Sequence, residues 1–140
     1  MSMTVRVAKY CWAAPYSLVG LLFGLLAVLL GATGRRAGGA LEFGGGGLGR
    51  VLRRLPARFS FSAITFGHVI LGVDHATLAE MREHEQVHVR QYERWGPLYV
   101  PAYLVSSLVE FLRGRNPYRD NYFERQAYAQ APSRPRHSRY

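Results

Sequence analysis

His84-Glu85-Gln86-Val87-His88 reads H-E-x-x-H, two imidazoles four residues apart with a carboxylate beside the first. In a helix, residues at that spacing lie about 40 degrees apart on one face and one turn along, so both rings reach a single cation. Imidazole nitrogen suits Zn2+, and a catalytic site with three protein ligands leaves the fourth position to water. Glu85 falls beside the stripe rather than on it, the place for a group that takes a proton as that water attacks a polarised carbonyl. The chemistry implied is hydrolysis of a peptide or similar bond. A bland reading of the same residues is a pair of core histidines satisfied by backbone carbonyls.

A third ligand decides between the two, and the donors downstream are Glu93, Glu110, Asp120, Glu124 and His137. Glu93 turns to the opposite side of its helix, and His137 lies in a basic tail. A metzincin would need Gly at 91 and His at 94, where this chain has Gln91 and Arg94. Glu124 fits best. It falls early in a short helix, and Ala127 one turn on gives E-x-x-A, small enough to let that helix approach the first closely. Gln91 continues the ligand stripe and either bonds a ligand or satisfies a buried carbonyl. His68, in a Gly67-His68-Val69 strand segment, either faces the cleft or is structural.

The elements that must position these groups follow from the pattern. Thr77-Leu78-Ala79-Glu80 has the form of a capping box, and Gly96-Pro97 supplies a stop, so the sequence predicts a helix over Thr77 to Trp95. Thr77, Met81, His84, His88, Gln91, Tyr92 and Trp95 project within about 100 degrees of arc, which marks the buried face. Leu98 to Leu112, broken by Pro101 and carrying Glu110, reads as a helix on the core or at a membrane surface. Asp120 or Asn121 can cap a further helix through Ala129. Arg58 to Leu71 suits one or two short strands, and Leu48 to Leu55 a short amphipathic helix. The glycine-rich stretch Gly34 to Gly49 reads as a hinge loop carrying one brief strand, Ala40 to Phe43. The fold class expected is α+β, mostly α.

From Ala13 to Ala32 no residue is charged, a run about long enough to cross a bilayer. A transmembrane helix is the first reading; a signal peptide with Arg6 and Lys9 as its basic region, or a buried helix, are the others. Two basic residues precede the run and six, Arg35, Arg36, Arg50, Arg53, Arg54 and Arg58, follow it, which places the carboxy-terminal domain in the cytoplasm. The expected organisation is a transmembrane or anchor segment over 1–33, a small domain carrying the candidate metal site over 34–130 and a disordered basic tail over 131–140. The formal charge of +9 favours acidic partners, and its juxtamembrane placement favours anionic lipid over nucleic acid. Cys11 is the only cysteine, which excludes an intrachain disulfide and a cysteine-rich metal cluster.

H-E-x-x-H-x-x-Q from His84 to Gln91, Trp95-Gly96-Pro97-Leu98, and Asn121 to Ala127 together resemble uncharacterised bacterial membrane-anchored proteins with minimal gluzincin-like domains. Trp12-Ala13-Ala14-Pro15 before an apolar run belongs to the same likeness, which covers most of the chain. The resemblance implies a reduced zincin fold, zinc held by His84, His88 and Glu124, Glu85 as base, and an edge strand around Ile64 to Leu71 lining the cleft. Larger gluzincins often place Asp after the Ala of E-x-x-A to orient a ligand histidine. Tyr128 stands there, so the shell behind the ligands departs from the family pattern. An oxyanion-stabilising phenol would come from Tyr92, Tyr99, Tyr103, Tyr118 or Tyr122. The function expected is a zinc metallopeptidase with a peptide or protein substrate. The alternatives are a non-catalytic domain stapled by structural zinc and a basic membrane-surface binding protein whose histidines are incidental.

Overall fold

The computed structural model describes residues 1–56 and 62–131. Its elements run α1 (Met3–Leu29), β1 (Thr33–Ala37), β2 (Ala40–Gly44), α2 (Gly46–Arg53), β3 (Ala63–Phe66), β4 (Val69–Gly72) and α3 (His75–Trp95), then a single 3-10 turn (Gly96–Leu98), α4 (Tyr99–Leu112) and α5 (Tyr122–Gln130). The architecture is α+β and mostly helical. The expected tail over 132–140 and the expected strand start at Arg58 to Phe61 lie outside the described residues.

The four strands form one sheet in the order β1-β2-β4-β3. β1 and β2 make an antiparallel hairpin, β2 and β4 pair in parallel with Leu41 opposite Val69, and β3 and β4 pair antiparallel. The hairpin corrects the expectation of a hinge loop with a single strand. Gly38 and Gly39 both hold positive φ, 56° and 81°, which is what a two-residue turn matched to the strand twist requires. β1 escapes a reading by hydropathy because Thr33-Gly34-Arg35-Arg36-Ala37 has no apolar alternation, and its pairing with β2 supplies the order instead. The expected edge strand Ile64 to Leu71 is two strands: β3 is the edge, and β4 is interior.

β2 alternates, with Ala40, Glu42 and Gly44 buried and Leu41 and Phe43 partly so. β4 is buried throughout, because each face of the sheet carries a helix. On one face α3 packs Leu78 and Val89 against Ala40 and Ile70. On the other lies α1, whose small residues allow close approach: a Cβ on Gly20 would sit 2.7 Å from Val69 Cβ, and one on Gly24 would sit 2.6 Å from the Phe43 ring. The bare Gly96 at the end of α3 receives the Trp12 indole in the same way. α1 is thus a layer of the fold as well as a helix long and apolar enough to span a membrane. Its opposite side exposes Leu18, Leu22, Leu25 and Leu29.

α3 begins two residues earlier than Thr77. Asp74 is its N-cap, its carboxylate accepting the Thr77 amide at 2.7 Å, so Thr77 sits inside the first turn rather than capping it. Pro101 does not interrupt α4, because it falls in the first turn, where the missing N–H has no helical partner to lose. Asn121 caps α5 by accepting from Phe123 N, and its amide also donates to Tyr103 O and Ser107 Oγ, tying α5 to α4.

Candidate metal centre

α3 presents His84 and His88 on its buried stripe, and α5 delivers Glu124 to them. The three donor atoms form a nearly equilateral triangle: His84 Nε2 to His88 Nε2 is 3.2 Å, and Glu124 Oε2 lies 3.3 Å from the first and 3.4 Å from the second. Ala127 is fully buried between the helices, and its small side chain permits the approach. Glu124 Oε2 is buried with no good hydrogen bond to either ring, so the three atoms face a common point more than one another. A tetrahedral ion with bonds of ~2.0–2.1 Å separates its ligand atoms by about 3.3 Å, and the triangle matches that separation. These residues together can hold a metal ion.

The Gln91 side chain fixes the His88 ring. Gln91 Nε2 donates to Phe123 O at 3.0 Å and to Gln126 Oε1 at 2.8 Å, which turns its Oε1 toward His88 Nδ1 at 2.8 Å. Nδ1 then carries a proton, so Nε2 is the nitrogen offered to an ion, which would displace any proton held there. Tyr99 OH also donates to Gln91 Oε1, at 3.0 Å. Gln91 therefore both satisfies a buried carbonyl and orients a ring of the triad. His84 is held differently. Its Nδ1 has no hydrogen-bond partner among the described residues, and the Tyr128 ring packs against it with centroids 4.5 Å apart. Packing by an aromatic ring stands where a hydrogen-bonding acid would orient the imidazole.

Tyr103 OH donates to the remaining Glu124 oxygen, Oε1, at 2.8 Å. Glu124 is held down at about 2: burial works against its charge, and the neighbouring His84 and His88 rings together with the Tyr103 hydrogen bond outweigh burial. His88 is pushed up to about 9. Burial opposes that charge too, but Glu124, the nearby Glu85 and Gln91 prevail. Burial raises the phenols of Tyr92, Tyr99 and Tyr103, so they remain donors.

Glu85 is buried beside the triad, and Thr65 Oγ1 on β3 donates to its Oε2 at 2.6 Å. Thr65 O in turn accepts from Tyr92 OH at 3.1 Å, so strand and helix fix each other. Neither Thr65 nor its role was legible in the sequence, since a single Thr in a strand carries no signal. His68 is not brought to the triad. Its Nε2 bonds Glu93 Oε1 at 3.0 Å, its ring stacks on Tyr10 at 4.0 Å, and its amide donates to Ser17 Oγ at 3.0 Å, so it fastens α1 to the β3–β4 turn. Glu93, already turned away from the triad, is its partner and also meets Lys9 at 3.4 Å.

His84, Glu85, His88 and Glu124 are only 2% to 6% exposed, so the centre is closed among the described residues. A groove between α3 and α5, lined in part by Arg90, Arg94, Gln91 and Gln126, reaches Gln91 but none of the three ligands. Comparison with protein-family models, with curated proteins and with solved structures finds no match for this chain.

Proposed function

We propose that the chain is a zinc-dependent hydrolase of the gluzincin type, cleaving a peptide or amide bond at a membrane. The observation that carries this reading is the donor triangle of His84, His88 and Glu124, whose sides of 3.2 to 3.4 Å suit a small tetrahedral ion. Two imidazoles and one carboxylate favour zinc over the harder, all-oxygen cations. When bound there, zinc supplies Lewis acidity and brings the pKa of a water toward neutrality. Glu85 is the base. Thr65 holds its Oε2, which leaves Oε1 to accept a proton. Tyr99 and Tyr103, kept protonated by burial, are phenols within hydrogen-bond distance of the ligand residues.

A carboxylate in the Glu85 position has no part in structural binding, and a hydrolase needs one. The test is a comparison of zinc-loaded wild type with Glu85→Gln on a peptide library. Loss of a general base costs about 10²- to 10⁴-fold, with zinc retained. Equal turnover by the two proteins refutes the catalytic reading.

The closed centre favours a second reading, in which the same ion only staples a small fold. It predicts one tightly held zinc and no difference between wild type and Glu85→Gln in any hydrolysis assay.

The membrane part of the proposal rests on the outward stripe of α1, with the net charge of +9 favouring anionic lipid. A single-pass crossing, with the domain in the cytoplasm, requires the sheet to leave Gly20 and Gly24 in the middle of the apolar run. With α1 docked as it is, the stripe meets lipid from the side of the molecule.

A further inference from the structure

α4 has two opposite faces. Tyr99, Tyr103, Ser106, Ser107 and Glu110 point inward, and four of them bond the α3 or α5 segments or the turn between α4 and α5: Tyr99 to Gln91, Tyr103 to Glu124, Ser106 to Tyr122 N and Ser107 to Pro117 O. At 100 degrees per residue these five span about 100 degrees of arc. The outward side holds Pro101, Leu104, Val105, Leu108, Phe111 and Leu112, within about 120 degrees of arc and with no polar residue among them. Leu104, Val105, Leu108, Phe111 and Leu112 are 55% to 73% exposed, and no described residue covers them. A stripe of this kind on a protein surface marks an interaction site rather than ordinary scatter of apolar side chains.

We infer that the outer face of α4 inserts into the surface of an anionic lipid bilayer. Two observations select lipid as the occupant. The carboxy-terminal end of the stripe runs into Arg113, Arg115 and Arg119, and the first two keep half or more of their side chains exposed while pairing with Glu110. Tyr118 beside them turns its hydroxyl inward to Tyr128, at 3.5 Å, so the arginines supply the headgroup-level contacts. At the other end Leu98, also exposed, sits at the junction where α1 docks: the Tyr16 phenol donates to Pro97 O at 3.1 Å. The stripe of α4 therefore begins beside α1, the helix that among the described residues is long and apolar enough to cross a membrane. Apolar area sinking below the headgroups, with arginines at their level, is the arrangement that binds interfacial helices to anionic leaflets.

The inner face of α4 touches Glu124 and Gln91, so insertion places the metal centre about one helix diameter, ~10 Å, from the lipid surface. Substrates would then be membrane-proximal segments. The inference about the bilayer stands whether or not the centre holds zinc.

The test uses the full chain with Cys11→Ser and one nitroxide label, at Leu108→Cys, at Leu112→Cys or, as a solvent-facing control on α3, at Glu80→Cys. Both α4 sites are exposed, so the labels leave the core intact. Collision rates with oxygen and with a neutral nickel chelate are read in phosphatidylcholine vesicles with and without phosphatidylglycerol. With phosphatidylglycerol, both α4 labels should prefer oxygen severalfold relative to Glu80→Cys, and Arg119→Glu should move them back toward nickel. Nickel access at Leu108 and Leu112 equal to that at Glu80 overturns the inference. Exclusion of both reagents also overturns it, because it reports a protein neighbour such as a second copy. An unchanged oxygen preference in pure phosphatidylcholine overturns the requirement for anionic lipid.

Discussion

Replacing Glu42 by Gln should loosen the helix that carries both histidines, although Glu42 touches none of the ligands. Glu42 is fully buried on β2, and its carboxylate accepts three bonds: Arg82 Nε and Nη2 at 3.0 Å each, and Arg35 Nε at 3.2 Å. Arg82 lies two residues before His84, so this bidentate pair sets the position of α3 on the sheet. Bonds to a charged group contribute about 1.5–3 kcal/mol each. The sum is discounted because the Arg82 and Arg35 side chains are 35% and 43% exposed and regain water when the acid is lost. The expected cost is about 2–4 kcal/mol, within the range for removing one partner of a buried pair. Burial alone would raise the Glu42 carboxyl, yet the two guanidiniums hold it below its usual 4.5. Its contribution is therefore present above about pH 4.5 and is lost as pH falls through the depressed value. Denaturant melts of wild type, Glu42→Gln, Arg82→Gln and the double variant at several pH values give both the cost and the coupling. A coupling below about 0.5 kcal/mol, or an acid dependence that Glu42→Gln leaves unchanged, refutes the argument.

Gln91→Leu removes the acceptor that orients His88 and should weaken zinc binding about 10- to 100-fold, read by competition with a chromogenic chelator; unchanged affinity would mean the ring needs no such support. Gly20→Leu drives a side chain into Val69 and the Phe66 backbone, and overpacking of this kind costs about 1–3 kcal/mol. Its thermal midpoint in detergent should fall by several degrees, and a midpoint equal to wild type would show that α1 is not docked on the sheet.

How far the sequence reaches differs between elements for physical reasons. α3 was legible because a helical stripe of Met81, His84, His88, Gln91 and Tyr92 and the Gly96-Pro97 stop repeat one message. α5 is legible from the cap that Asp120 or Asn121 offers. The capping pattern puts the start of α3 at Thr77 because Asp74 and Thr77 are both good caps three residues apart, and only the bond from the Thr77 amide to Asp74 separates them. The role of α1 as a layer over β4 was not legible. Hydropathy is the same for a helix in lipid and a helix on a sheet, and the telling residues, Gly20 and Gly24, have no side chain to read. The links from Thr65 to Glu85 and from Tyr103 to Glu124 join elements 20 or more residues apart, so no local pattern announces them. The E-x-x-A of Glu124 and Ala127 points to Glu124 as the third donor, and the fold brings its carboxylate and the two imidazoles within ligand reach of one another.

Metal content of the purified full chain, after loading with zinc and removal of free ion, tests the central claim most directly. One zinc per chain is expected, lost in His84→Ala and in Glu124→Ala and kept in Glu85→Gln. No bound metal in wild type, or zinc that survives the loss of Glu124, would contradict it.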